Sequence, residues 1–399
     1  MYVLLAKRFG DIFVTLIISL LLDKFKIHTL RFIYLSAFAV LFLTACNSST
    51  NEKVEGYKNL CLMIEEAVNQ EKVEVIDELF DGKALAQNII DKYPQAPDYY
   101  KTGFKEGFDN FYTPGTILAS SAGHNSQYKF LRLKSTNPPI GLFRISSPDM
   151  LNYQEVFLGE TENGSPIIKD FYAYQEAEWF SQGLERMYII NLSQEMKDFI
   201  HPIADALPII AEAAEEAEHG HLAPSFVSLK KLPENVLKQK VVLLMLMNMG
   251  AELNEDSLKI ASDIFKKHYP KDPLLELKLF DYSMLQSDTS KIILALDNLN
   301  KKIGGDVYID VMKAAIFKNN NQISKAEGLL KNALEKEPDN EESYWLYFDL
   351  LAKQKNYSEI IRIFEQFRKE FDDDPSEYLD EEKYADFLGS EEFLDWKGK

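Results

Sequence analysis

Glu215 and His219 are the residues whose spacing most readily suggests metal chemistry. They lie four positions apart, so on a helix both side chains would share one face, a geometry that metal sites use. Gly220 offers another explanation, because a glycine commonly ends a helix and the helix dipole favours histidines in the last turn without a metal. We favour this second explanation and predict no metal site and no cofactor.

Other sequence signatures of reaction chemistry are absent. The chain has no Gly-rich phosphate loop, no H-E-x-x-H, no C-x-x-C and no G-x-S-x-G. Cys61 lies among apolar residues in a helical pattern, which favours a buried small hydrophobe over a reactive thiol. The sequence therefore predicts a protein without catalytic residues.

The elements of the first half change from helix to strand near residue 127. Apolar residues recur at helical spacing from about Gly56 to Ala122, and the period then changes to two up to Gln175. Asn163-Gly164 predicts a tight hairpin, and the other connections are too short for crossover helices, so the sheet should be antiparallel. We predict an α+β domain over residues 57–192, with strands at 128–134, 140–146, 153–159 and 167–174.

This order of elements, together with the strand Asp170-Phe171-Tyr172-Ala173-Tyr174, resembles the cystatin and nuclear-transport-factor-2-like (NTF2-like) folds. The resemblance implies helices over one face of a curved sheet, sometimes around a small-molecule pocket that holds an Asp and a His in enzymatic members. The corresponding candidates here are Asp170 and His124. The alternative that we favour is a structural carboxylate and a loop histidine.

The last third of the chain repeats at an interval of 34 residues. Such a period is typical of helical-hairpin arrays, which bind partners along an extended surface. Each unit contains two apolar helical stripes and ends in a turn residue. A column here is a set of residues spaced 34 apart. The first stripe contains two columns, Leu246, Phe280, Ala314, Phe348 and Met249, Ser283, Phe317, Leu351. The second stripe contains three columns, Leu258, Ile292, Ala326, Ile360, then Ser262, Leu296, Leu330, Phe364, then Phe265, Leu299, Ala333, Phe367, and the turn column is Pro270, Gly304, Pro338, Asp372.

These columns resemble the tetratricopeptide repeat (TPR) over residues 239–374, with the best fit from Val307 to Asn340. The sequence departs from the family pattern where Phe280 and Phe348 replace a small residue. The resemblance implies peptide binding along the inner face of the first helices. The candidate groove residues are Leu243, Leu277, Tyr308, Val311 and Trp345.

The groove predicted by the resemblance is apolar and aromatic. Leu243 and Met247 occupy the places where chaperone-binding members carry the Lys and Asn that clamp a C-terminal carboxylate, so we expect an extended or helical apolar segment instead. The alternative is that Leu243, Leu277 and Val311 pack against the N-terminal domain. Beyond Phe371, an acidic segment at 375–399 is expected to cap the array. Residues 193–238 are expected to form a helical connector, with a helical segment from about Ser193 to Glu218.

The N-terminal region predicts export. Basic residues precede the apolar run at 32–45, which ends in Leu43-Thr44-Ala45-Cys46 and resembles the signal peptide and lipobox of a bacterial lipoprotein. The resemblance implies acylation of Cys46, with residues 46–56 as a tether. A membrane-spanning anchor is the alternative, but the run is shorter than the roughly 20 residues that a span needs.

A second apolar run, Ile12 to Leu22, is explained by a translation start near Leu22 that leaves residues 1–21 unmade, or by a membrane hairpin.

The net charge of the chain argues against some classes of binding partner. The chain has a net charge of −19, and residues 1–45 contain five basic and two acidic residues, so the chain from Cys46 onward carries −22. Such a surface repels phosphate backbones and anionic lipid headgroups, which argues against nucleic acid. Acyl chains would then supply the membrane affinity.

The sequence thus predicts a non-catalytic lipoprotein on the periplasmic face of a bacterial envelope membrane, with TPR-like repeats that bind an envelope protein or peptide. The alternative is a small-molecule-binding or enzymatic cystatin/NTF2-like domain docked through the repeats.

Overall fold

The computed structural model describes residues 50–111, 113–120, 126–147, 150–196 and 201–398. Cys46, His124 and the two N-terminal apolar runs lie outside the described residues. The chain forms two compact units that divide between His268 and Tyr269. The first unit contains helices and a sheet, and the second is helical. The predicted α+β region followed by an all-α region is present in this general form.

Within the part of the chain that the structure describes, five helices precede the sheet. They are α1 (Thr50–Asn69), α2 (Val73–Glu78), α3 (Gly82–Asp91), α4 (Asp98–Phe111) and α5 (Pro114–Ser120). Tyr93-Pro94 and Ala96-Pro97 fall in the connection between α3 and α4, where the prolines interrupt the helical pattern.

The sheet is an antiparallel meander in chain order. Its strands are β1 (Gln127–Thr136), β2 (Pro139–Ser147), β3 (Met150–Glu160), β4 (Pro166–Ala173) and β5 (Glu178–Trp179). The prediction of four antiparallel strands is confirmed within one to three residues at each end. The sequence analysis missed β5, whose two residues are too few to show a period of two.

The connection between β3 and β4 differs from the predicted tight hairpin. Residues 161–165 form a longer loop closed by a hydrogen bond of 2.9 Å from the Thr161 amide to the Ser165 carbonyl. Gly164 lies at φ +80°, a conformation that suits glycine. The turn residue was therefore correctly predicted, but the loop length was wrong.

Helix α1 lies across the sheet and contacts β1, β2 and β4. Its buried stripe includes Leu60, Cys61 and Ile64, so the predicted burial of Cys61 is confirmed. Burial raises the pKa of the Cys61 thiol to about 12. Polar side chains of α1 also bind the edge strand. The Asn69 amide both donates to the Tyr128 carbonyl (2.7 Å) and accepts from the Tyr128 N–H (2.9 Å), which helps to protect this edge from pairing with another chain.

The first unit continues after the sheet as helices. They are α6 (Phe180–Glu195), α7 (Pro202–Glu218), α8 (Leu222–Lys230), α9 (Glu234–Leu237), α10 (Lys240–Leu253) and α11 (Glu255–His268). The predicted helical segment from about Ser193 to Glu218 comprises the end of α6 and the whole of α7, which ends at Glu218 as predicted. Gly220 ends α7 at φ +87°, and the His221 N–H donates to the Glu216 carbonyl at 2.8 Å, as expected for a glycine cap.

The second unit consists of helical hairpins followed by a short C-terminal segment. The hairpin helices are α12 (Leu274–Leu285), α13 (Thr289–Ile303), α14 (Val307–Asn319), α15 (Ile323–Lys336), α16 (Glu341–Lys353) and α17 (Tyr357–Phe371). The second helices of the hairpins begin at residues 255, 289, 323 and 357, each 34 positions after the one before, if α11 of the first unit is included. The repeat seen in the sequence is therefore a repeat of helix pairs.

One backbone turn recurs in every hairpin of the second unit. Ser287, Asn321 and Lys355 lie 34 residues apart and all have φ between +54° and +57°. The amide that follows each of them donates to the carbonyl of Ser283, Phe317 or Leu351 at 2.8–3.1 Å, which completes the helix C-cap. The hairpin of α10 and α11 turns differently, through Asn254 in an extended conformation.

The C-terminal segment covers the last hairpin of the second unit. It consists of a 3₁₀ turn (Pro375–Tyr378) and helices α18 (Ala385–Leu388) and α19 (Glu391–Lys397). Phe387 packs on Phe348 and Phe364, and Trp396 packs on Phe364, with ring centroids 5.6–5.8 Å apart. An apolar end of a helical array needs such a cover to stay soluble.

Among the described helices, none is both long enough and apolar enough to cross a membrane.

The packing of α1 on the sheet gives a test at Gly141. A Cβ at this position would lie 2.7 Å from the Cys61 Sγ, so Gly141→Ala should lower the free energy of unfolding by about 1–3 kcal/mol through overpacking. Adding Cys61→Ala removes the sulfur and should recover part of this loss. Gly103→Ala on α4 is the matched control, because a Cβ there meets no atom within 4 Å. Urea denaturation measures all four proteins, and an unchanged stability of Gly141→Ala would refute the tight contact.

Candidate partner-binding surface

The predicted groove residues are mostly interior. Leu243, Leu277, Tyr308 and Val311 each expose 2% or less of their surface, so they do not form an open groove. Leu243 lies on α10 in the first unit, whereas Leu277, Tyr308 and Val311 lie on α12 and α14 of the second. Their apolar character reflects core packing within the hairpins. Trp345 on α16 is different, because its side chain is only partly buried.

Asp170 serves as a cap for helix α6. Its carboxylate accepts hydrogen bonds from the Ser181 hydroxyl (2.5 Å), the Ser181 amide (3.1 Å) and the Phe171 amide (2.9 Å). Burial raises the pKa of Asp170, although these hydrogen bonds act in the opposite direction. All of these contacts are structural, in line with the alternative favoured from the sequence. Its suggested companion His124 lies outside the described residues.

The side chains of Glu215 and His219 do not bind each other. The His219 Nδ1 is 2.8 Å from the Glu215 backbone carbonyl, and the His221 Nδ1 is 2.6 Å from a Glu216 carboxylate oxygen. Within the described residues, no group of three or more His, Cys, Asp or Glu side chains could hold a metal ion.

The sheet has a polar interior layer that the sequence analysis missed. Arg144, Tyr153, Glu155, Tyr172 and Tyr174 are buried on the face opposite α1. The Glu155 carboxylate accepts from the Tyr174 hydroxyl and, at 2.6 Å, from the Lys134 ammonium. In addition, the Lys240 ammonium of α10 donates to the Tyr172 hydroxyl (3.0 Å) and lies 4.5 Å from the centre of that ring.

This layer joins the sheet to α10 through polar contacts. Its members alternate along neighbouring strands, and the strand register aligns them. The strand register is the signal that could have identified this polar layer, and it is known only once the pairing of the strands is known.

Trp345 and Tyr378 form a corner of two aromatic rings on the surface of the second unit. The ring centroids are 6.0 Å apart and the planes meet at 79°. The side chain of Tyr378 is 61% exposed. Tyr378 belongs to the 3₁₀ turn Pro375–Tyr378 and is not part of the repeat. Phe367, which is buried, supports the Trp345 ring from behind at 5.5 Å. We call this pair the aromatic corner.

Carboxylates border the aromatic corner. The Trp345 indole N–H donates to Glu341 at 2.9 Å, and the Tyr378 hydroxyl donates to Asp373 at 2.5 Å. The hydrogen bond to Asp373, the charge of Asp373, and then the charges of Glu377 and Glu341 raise the pKa of Tyr378. The corner therefore combines exposed π surface with a negative field.

Two buried or half-buried carboxylates hold the segment that positions Tyr378. Asp374 accepts from Arg368 (2.8 Å) and from Lys397 (3.0 Å), so it ties the 3₁₀ turn to α17 and α19. Asp349 on α16 accepts from Lys318 (2.5 Å) and from Lys383 (3.1 Å). Burial alone would raise the pKa of Asp349, but the hydrogen bonds and charges of Lys318 and Lys383 outweigh it and lower that pKa to about 2.

No protein-family model matches this chain, and no curated protein shows significant similarity to it. The aromatic corner is therefore interpreted from its own geometry.

The contacts of Asp349 predict a pH-dependent stability. Because its pKa is lower in the folded state than the ordinary 3.8, its contribution is fully present above about pH 4 and is lost as the pH falls through about 2. Asp349→Asn should therefore cost about 1–2 kcal/mol of unfolding free energy at pH 7 and almost nothing near pH 2.

Asp297→Asn is the matched control, because Asp297 pairs with Lys313 (2.7 Å) but is about half exposed. Chemical denaturation between pH 2 and pH 7 makes the comparison. A cost for Asp349→Asn that does not vary with pH would contradict this assignment.

Proposed function

We propose that this protein is a non-catalytic interaction protein whose second unit binds a protein partner through the aromatic corner. The observation that carries the proposal is the partly exposed Trp345 beside the exposed Tyr378, on a support of buried aromatic rings. Solvent-facing Trp and Tyr held in place by a core are the residues that dominate binding energy at protein interfaces. Their rigid setting also lowers the entropy that a partner must overcome.

We also propose the finer fold assignments. The interval of 34 residues and the recurring left-handed turn support TPR-like hairpins in the second unit. Helix α1 across an antiparallel meander supports a cystatin/NTF2-like arrangement in the first. A ligand-binding or enzymatic role for that domain has less support, because Asp170 is engaged as a helix cap and the sheet face under α1 is covered largely by apolar side chains.

The proposed location is the periplasmic face of a bacterial envelope membrane, with a lipid on Cys46 as the anchor. The support is the sequence Leu43-Thr44-Ala45-Cys46 after an apolar run, together with the acidity of the rest of the chain. A protein with this charge would not adhere to anionic headgroups, so the acyl chains must hold it.

Cys46→Ser tests the anchor. The variant should lose its acyl groups, because serine lacks the thiol that is acylated, and any form of it that is cleaved before residue 46 should move from the membrane fraction to the soluble fraction. Intact-mass spectrometry and cell fractionation provide the measurement, and Cys61→Ser is the control because Cys61 is fully buried. A Cys46→Ser protein that stays in the membrane with an unchanged mass would contradict the proposal.

A pull-down from solubilised native membranes tests the interaction surface. Trp345→Ala and Tyr378→Ala should each reduce recovery of the bound partner about tenfold or more, as expected for hot-spot residues. Tyr99→Ala is the matched control, because Tyr99 is an exposed tyrosine (66%) whose hydroxyl also donates to a carboxylate, Glu195 at 3.3 Å, in the first unit. Circular dichroism verifies that each variant is folded. Full partner recovery by both corner variants would rule out this surface.

A further inference from the structure

The carboxylates around the aromatic corner lack positive partners. Within the described residues, no Lys or Arg forms an ion pair with Glu341, Asp373 or Glu377. Arg368 and Lys397 are both bound to Asp374 instead, Lys383 is bound to Asp349, and Lys355 is bound to Asp386. The corner is thus a place where negative charge and π surface coincide without an internal cation to balance them.

Each component of this surface favours a cation. The face of an aromatic ring attracts a guanidinium or ammonium group, and two rings at nearly a right angle offer a face and an edge around one position. The carboxylates add charge attraction and hydrogen-bond acceptors. An apolar side chain placed here would instead desolvate these carboxylates without compensation, and an acidic one would be repelled.

The same unit already contains a cation bound in this way. The Arg368 guanidinium lies 3.9 Å from the centre of the Trp396 ring while it donates to Asp374 at 2.8 Å. An indole face, a carboxylate and an arginine therefore form a complete arrangement between α17 and α19. The aromatic corner supplies the first two of these parts and exposes them.

We propose that the aromatic corner binds the Arg or Lys side chain of a basic segment in the partner protein. The inference rests on the proposed function and specifies the chemistry of its partner. It also replaces the apolar segment expected from the sequence, because the apolar groove residues proved to be buried. The net charge of the chain, −19, would guide a basic segment towards this surface and make the association rate sensitive to salt.

Two peptides that differ only in charge test the inference. The probe is an acetylated and amidated Gly-Ser-Leu-Arg-Leu-Ser-Gly peptide, and its match carries citrulline, which keeps the shape of arginine but is neutral. Two-dimensional NMR titration of the full chain should show saturable binding of the arginine peptide, about tenfold weaker for the citrulline peptide and weaker in high salt. Tyr378→Leu and Glu341→Gln should each weaken the arginine peptide, whereas Tyr99→Leu should not.

The possible results separate this inference from the proposed function. Equal affinity for the two peptides, or no saturable binding of the arginine peptide, would overturn the cationic assignment. If the corner variants nevertheless lose the partner in the pull-down, the interaction surface stands and only its chemistry is wrong. If Tyr99→Leu weakens the arginine peptide as much as Tyr378→Leu does, the attraction is a general effect of the acidic surface and the inference fails.

Discussion

The left-handed turn in each hairpin of the second unit is the constraint on which the rest of that unit depends. Ser287, Asn321 and Lys355 hold φ near +55°, and this conformation reverses the chain within a few residues while it satisfies the last carbonyls of the preceding helix. Because the turn recurs at a constant interval, the helices that follow it start at a constant interval too. Apolar residues at a fixed distance from the turn then always face the same side, and 14 of the 15 column residues in the second unit, all but Phe317, are buried.

An array built in this way exposes an apolar surface at its last hairpin. The C-terminal segment resolves this by placing Phe387 and Trp396 on Phe364. Its charged contacts then fix its path, since Asp349 binds Lys383 of this segment together with Lys318, and Asp374 binds Arg368 and Lys397. Tyr378 meets Trp345 as a consequence of this path. The proposed binding surface is therefore a product of closing the array. The carboxylates around it come from α16 (Glu341), from the residues that follow α17 (Asp373) and from the 3₁₀ turn (Glu377).

The sequence predicted much of the fold because periodicity is a local property. Four strands, their antiparallel order and the helix pairs followed from alternation, turn residues and a constant interval. The site was harder, because the same periodicity cannot distinguish a groove from a core. The patterns expected for a groove and for a core are both met by Leu243, Leu277 and Val311, and the structure places these residues in the core. Tyr378 lies outside the repeat, and only the folded path of the acidic segment brings it to Trp345. The polar layer around Glu155 was likewise invisible until strand register aligned its members.

The central claim is that the end of the second unit, and not the first unit, contacts the partner. Site-specific photo-crosslinking in native cells tests this most directly, with a benzophenone amino acid placed at Tyr378 or at Tyr99, two exposed tyrosines whose hydroxyls each donate to a carboxylate. The account predicts one discrete crosslinked protein from position 378, with a basic segment at the attachment point found by mass spectrometry, and none from position 99. A crosslink from position 99 alone, or an attachment point within an acidic or wholly apolar segment, would contradict it.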